Sequence, residues 1–204
     1  MLLTAVLVVT TSIAAAHPKE RAVNVVMEDQ FRNRRETGSL HGDVVVLVYA
    51  ERKGGEASQE LGRKLHVHFH PQAAQVSAME WGRQPVAGLP DWPTDVRIPD
   101  VHAVAVACLS EIPRPLHPVA RAQFRKDSPH VPVWLDFTST MKQTFGIVPG
   151  TPNVALIDTQ GQVHSVLSGR FDDIKFRELV TTIDQLRQQA RSAQRQALPV
   201  NVTR

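Results

Sequence analysis

The run HVHFH places His66, His68 and His70 within five residues, in a chain that holds nine histidines. On a helix, His66 and His70 are four residues apart and share a face, a spacing that suits a pair of zinc or copper ligands. On a strand all three would share one face instead. Two imidazoles do not complete a site, and no third ligand is identifiable from spacing. The expectation is exposed, unliganded histidines, and no metal or cofactor is assigned. The single cysteine, Cys108, ends the apolar run VHAVAVAC. A nucleophilic or peroxidatic thiol needs a cationic or helix-terminal neighbourhood to lower its pKa. The sequence shows none there, so Cys108 reads as a small core hydrophobe. One thiol also excludes an internal disulfide and dithiol exchange.

The third candidate is the turn in YAERKGGEASQE, residues 49–60. It follows a valine-rich run and leads into a helical pattern, a place where many folds keep their chemistry. It holds Glu51, Arg52, Lys53, two glycines and Glu56, with no cysteine, serine or histidine before the helix. Arg52 and Lys53 beside a helix N-terminus could form a small anion site, although Glu51 and Glu56 partly cancel that field.

These residues need elements to position them. DVVVLVY (43–49) reads as a strand buried on both faces. Residues 56–70 set Leu61, Leu65 and Phe69 four apart, an amphipathic helix that stops at Pro71. Residues 71–100 form an irregular insertion rich in proline and tryptophan, about twice an ordinary connection. A strand at 101–109, a helix near 116–127, a short strand at 131–136 and a helical turn in TSTMKQTF come next. NVALID (153–158) and QVHSVLSG pair through the turn Asp158–Gly161. The last helix spans 172–194, with Asp172 and Asp173 as cap candidates and Ile174, Leu179, Ile183 and Leu186 as its inner face. Alternating strands and helices ending in a hairpin and a helix give an α/β fold with one central sheet.

At 204 residues the chain suits a single domain, here 17–195 with a loose tail at 196–204. The net charge of +3 is mild. Its one tight basic cluster, RNRR at 32–35, lacks interleaved aromatics and reads as a solvated loop, so no nucleic-acid partner is expected. The first sixteen residues, an apolar run closed by Ala14-Ala15-Ala16, have the shape of a secretory signal cleaved before His17. A periplasmic or secreted location follows as the expectation, with no membrane span after signal removal.

The segment FGIVPGTPNVALIDTQGQV (145–163) resembles the C-terminal half of the thioredoxin-like and peroxiredoxin-like fold, and LHGDVVVLVYAE (40–51) is similar to the segment leading into that family's redox loop. The resemblance covers roughly 23–190. Its most specific part is 145–163, in which the loop before the proline is one residue longer than the family pattern. The exported, cysteine-poor arrangement also looks like the bacterial YtfJ-type thioredoxin-like proteins. The resemblance implies a mixed sheet flanked by helices and a cis peptide at Thr151–Pro152. It also implies a ligand-binding face where Thr151 and Pro152 meet Arg52 and Lys53. The redox cysteines of such relatives would occupy the 53–56 stretch, which carries none here. The reading is a non-catalytic binding module for a protein, peptide or small molecule. A single-cysteine thiol peroxidase or a histidine-based metal protein is the alternative.

Overall fold

The computed structural model describes residues 22–94 and 96–197. The proposed signal segment and most of the tail lie outside them. Seven strands form one sheet: β1 (Val26–Asp29), β2 (Arg34–Glu36), β3 (Val44–Ala50), β4 (Val101–Cys108), β5 (Val133–Asp136), β6 (Asn153–Ile157) and β7 (Val163–Ser168). Their spatial order is β2-β1-β5-β4-β3-β6-β7. The three central strands run parallel, and β1, β2, β6 and β7 add antiparallel pairings at the two edges. The helices are α1 (Gly55–Phe69), α2 (His117–Asp127), α3 (Thr140–Phe145) and α4 (Asp173–Ala197).

Alternation along β3 sorts the core into two layers. Val44, Val46 and Val48 pack with Leu61, Leu65 and Phe69 of α1 and with Leu179, Ile183 and Leu186 of α4. Val45, Leu47 and Tyr49 pack on the opposite face with Trp134, Met141 of α3 and the N-terminal Val25 and Met27. A strand covered on both sides needs apolar residues at every position, and β3 is buried throughout. Asp172 caps α4, its Oδ1 accepting the amides of Ile174 and Lys175 at 3.1 and 2.9 Å. Ile174 belongs to the first turn and stays 61% exposed, so the expected inner face starts one turn later, at Leu179.

The sequence reading omitted the hairpin of β1 and β2, which includes most of RNRR. These strands are short and carry charged residues, so they lack a hydrophobic pattern. They are organised around Asp29, a fully buried residue that accepts from the amides of Phe31 and Asn33 and from Arg35 Nε at 2.9 Å each. RNRR is thus a paired edge hairpin, with Arg32 at φ 69°, and not a free loop.

The 71–100 insertion lies outside the sheet and is tied to it by buried polar groups. Arg187 of α4, 1% exposed, donates from Nε to the Pro99 carbonyl at 3.0 Å and from Nη2 to the Ala87 carbonyl at 2.7 Å. Its Nη1 pairs with Asp184 at 3.0 Å, and its guanidinium lies 5.7 Å from the Phe69 ring centre.

Candidate functional site

β3 delivers Glu51 at its C-terminal end, and Arg52–Gly54 make one tight turn into α1. Arg52 and Lys53 project into solvent and form no ion pair among the described residues. The Thr151 loop comes up against this turn from β6. A Cβ placed on Gly54 would stand 2.7 Å from the Thr151 carbonyl oxygen and 3.1 Å from Ala50 Cβ. The two segments therefore touch, about one hundred residues apart in sequence, and only glycine permits that contact.

The peptide bond before Pro152 is trans, as are all peptide bonds among the described residues, which corrects the expected cis form. The longer loop supplies another way to turn. Gly150 takes φ 74°, a conformation suited to glycine, and the buried Asn153 side chain braces the turn from within. Its Nδ2 donates to the carbonyls of Val148 and Thr151 at 3.2 and 3.0 Å, and its Oδ1 accepts from the Val148 amide at 2.8 Å and from Ser168 Oγ at 2.6 Å. The Thr151 carbonyl is thus already engaged. Thr151 is half-buried and Pro152 buried, so at this pair only Thr151 reaches solvent.

Cys108 ends β4, half-buried on the face of Tyr49. Burial is the main force pushing its thiol up to about 12, and the carboxylates of Asp136 and Glu51 add to it. A thiol so placed stays protonated at neutral pH, the reverse of what a peroxidatic cysteine requires. Asp136 itself is fully engaged as the cap of α3, accepting the amides of Thr140 and Met141 at 2.9 Å each.

The histidines sit at the other end of the sheet, as the reversal of chain direction through α1 required. His68 is exposed as expected, but His66 and His70 are not free. His70 is 4% exposed, with Nε2 2.8 Å from Asp100 Oδ1 and Nδ1 3.2 Å from the His66 carbonyl. Both ring nitrogens therefore lie within hydrogen-bond distance of an oxygen acceptor. His66 Nε2 donates to the Trp81 carbonyl at 3.1 Å, and its ring stacks on that of His70 with centroids 4.5 Å apart. Burial, then the neighbouring His70, hold the His66 pKa below its usual value. The pair on one helix face therefore ties down the insertion. Beside it, His102 Nε2 and Arg97 Nη2 donate to Asp43 Oδ2 at 3.0 and 2.8 Å. Burial works to raise the Asp43 pKa, and hydrogen bonds from His102, Arg97 and the Asp100 amide outweigh it, holding the carboxyl at about 2.

Asn153, Asp136 and Arg187 escaped the sequence reading: Arg187 acts through carbonyls 88 and 100 residues away, whereas Asp136 and Asn153 brace local turns that their strands hide in apolar runs. The one available signal was a polar residue opening an otherwise apolar strand, Asn153 in NVALI.

No protein-family model matches the chain, and no curated protein matches it. Solved structures do match. A protein from Bacteroides thetaiotaomicron, described as a protein disulfide isomerase, is 15% identical, with a TM-score of 0.51 over 88% of this chain and 96% of that one. A thioredoxin-type protein from Neisseria meningitidis is 16% identical, with a TM-score of 0.50 over 82% of this chain and 92% of that one. The fold is thioredoxin-like. At these identities the likeness reaches the thioredoxin-like architecture and no further. No helix among the described residues is long and apolar enough to cross a membrane.

Proposed function

We propose that this chain is an exported thioredoxin-fold protein without dithiol chemistry. It would bind a protein, peptide or small-molecule ligand at the face where Arg52 and Lys53 meet Thr151. The domain would span 17–195 once a signal of sixteen residues is removed. The observation that carries the reading is the occupancy of the turn between β3 and α1. Arg52, Lys53 and Gly54 fill it, and the chain's one thiol lies instead in β4 with its pKa raised to about 12. Exchange of a disulfide needs an attacking thiolate and a second thiol to resolve the mixed disulfide. A binding role needs neither, and it uses the end of the parallel strands where open α/β sheets hold ligands. The YtfJ-type likeness fits this reading. The peroxidase and metal alternatives lose support, since the Cys108 thiol is pushed up to about 12 and both nitrogens of His70 lie beside oxygen acceptors.

Two measurements test the proposal. Insulin reduction driven by dithiothreitol should stay at background. An amide-shift titration with an extended-peptide library should move resonances of residues 52–55 and 148–153. Reductase turnover that vanishes in Cys108→Ala, or shifts confined to other parts of the sheet, would sink it.

A further inference from the structure

At the end of the sheet opposite the Thr151 face, three imidazoles meet two carboxylates. His70 Nε2 lies 2.8 Å from Asp100 Oδ1, and His102 Nε2 lies 3.0 Å from Asp43 Oδ2. His66 pairs with no carboxylate among the described residues. Its Nε2 meets a neutral group, the Trp81 carbonyl at 3.1 Å, and its half-buried ring lies 4.5 Å from the His70 ring and 4.7 Å from a Trp81 ring, centre to centre.

The charges around His66 come from each element packed there. On α1, His70 stands one turn on and the exposed Arg63 one turn back. Asp100 and His102 come from the start of β4, with Asp43 and Arg97 behind them. Arg187 of α4 acts on both Asp100 and Asp43. On the insertion, the exposed Glu80 and Arg83 flank Trp81. Both carboxylates of the cluster are already taken. Asp43 accepts from His102, Arg97 and the Asp100 amide, and Asp100 from His70 and the Val101 amide. A proton on His66 therefore sets a cation against another imidazole, with no carboxylate free to receive it. Burial and His70 oppose that charge, and the attraction of Asp100 does not offset them.

The insertion is fastened at two places of different chemistry. Residues 87–99 are held by Arg187 on the Ala87 and Pro99 carbonyls, and by the Ala87 amide on the Phe69 carbonyl at 2.6 Å. No group in those bonds titrates near neutral pH. Residues 76–84 reach α1 through Trp81, whose carbonyl meets His66 and whose Nε1 donates to the Ala73 carbonyl at 2.7 Å. Their other bonds, from the Glu80 amide to Ser77 and from the Arg83 amide to Glu80, stay within single turns.

We propose that residues 76–84 form a latch that acid releases: a proton on His66 frees the Trp81 turn from α1, while Arg187 keeps the rest of the insertion in place. The sign follows from linkage. A histidine that resists its proton in the closed form, and accepts it freely in water, supports the closed form above pH 6.5 and withdraws that support below it. The opening equilibrium rises with acid by at most about tenfold per pH unit. The latch does not rest on the binding role proposed for the Thr151 face.

Amide hydrogen exchange on the full chain, followed from about pH 7.5 to 5 and corrected for the intrinsic rate, tests the latch. Protection of the Glu80 and Arg83 amides should fall severalfold across that range, while the Ala87 amide and the interior of α1 stay unchanged. His66→Gln keeps a donor for the Trp81 carbonyl without the charge, and should flatten the profile. Imidazole proton shifts give a second readout if that variant does not fold. Removing the turn's anchor in Trp81→Ala should move the His66 midpoint up toward 6.5. Protection independent of pH, an equal slope in His66→Gln, or loss spread evenly over residues 71–100 would overturn the latch. So would a His66 midpoint that Trp81→Ala leaves in place.

Discussion

Replacing Arg187 by Leu tests how the long insertion is held. The side chain is 1% exposed and donates to two main-chain carbonyls of the insertion, those of Pro99 and Ala87. Pro99 is buried, so its carbonyl would be left without a partner, at about 1–3 kcal/mol. The Ala87 carbonyl is better able to find water and adds a smaller amount. Loss of the guanidinium over Phe69 removes roughly another 0.5–1 kcal/mol. The pair with Asp184 adds little, because that carboxylate is 38% exposed. Against these losses, leucine escapes the cost of burying a cation, since burial is the main force lowering the Arg187 pKa. The net expectation is destabilisation of about 3 kcal/mol, equivalent to a fall in melting temperature of roughly 6–12 °C for a chain of this size. Urea unfolding measures the first quantity, and limited proteolysis within 71–100 should accelerate before global unfolding. Arg187→Leu losing less than 1 kcal/mol with the insertion still protected would refute the clamp.

Other outcomes follow from the same geometry. With its pKa pushed to about 12, Cys108 should react with a thiol reagent at pH 8 about three orders of magnitude more slowly than an unfolded thiol of pKa about 8.5, with full reactivity on denaturation; comparable native and denatured rates would contradict that placement. A raised pKa makes its stabilising contribution complete below the unfolded value and progressively lost above it, so unfolding free energy should fall between about pH 8.5 and 12, in part relieved by Cys108→Ala. Depressed pKa values act in the other direction. His66 should withdraw stability as pH drops below 6.5 toward its lower folded value, and Asp43 should withdraw about 2 kcal/mol between pH 3.8 and about 2. Stability of His66→Gln and Asp43→Asn measured against pH would show whether each slope disappears. N-terminal sequencing of protein recovered outside the cytoplasm should begin at His17, and recovery of a chain that retains Met1 would remove the export proposal.

Elements whose own residues specify them could be read directly. The valine run of β3, the Leu61–Leu65–Phe69 spacing of α1, the Asp158–Gly161 turn and the Asp172 cap each depend on neighbours within a few positions. The edge hairpin could not be read this way, because β1 and β2 are held by the buried Asp29 and by Arg121 and Arg125 reaching from α2. Local pattern also misjudged the histidines. Their helical spacing was correct, but Asp100 and Trp81, which engage them, lie thirty and fifteen residues away. At Pro152 the error had a different source. Motif likeness carried over a backbone state whose loop length had changed, and Gly150 with Asn153 turns the chain by another route. Composition could not expose the open strand either, since VHAVAVAC reads as a well-covered core segment. Its half-exposed alanines become informative only in the fold, where α2 buries no residue and is anchored by Arg121 and Arg125 to β1 and the residue after it.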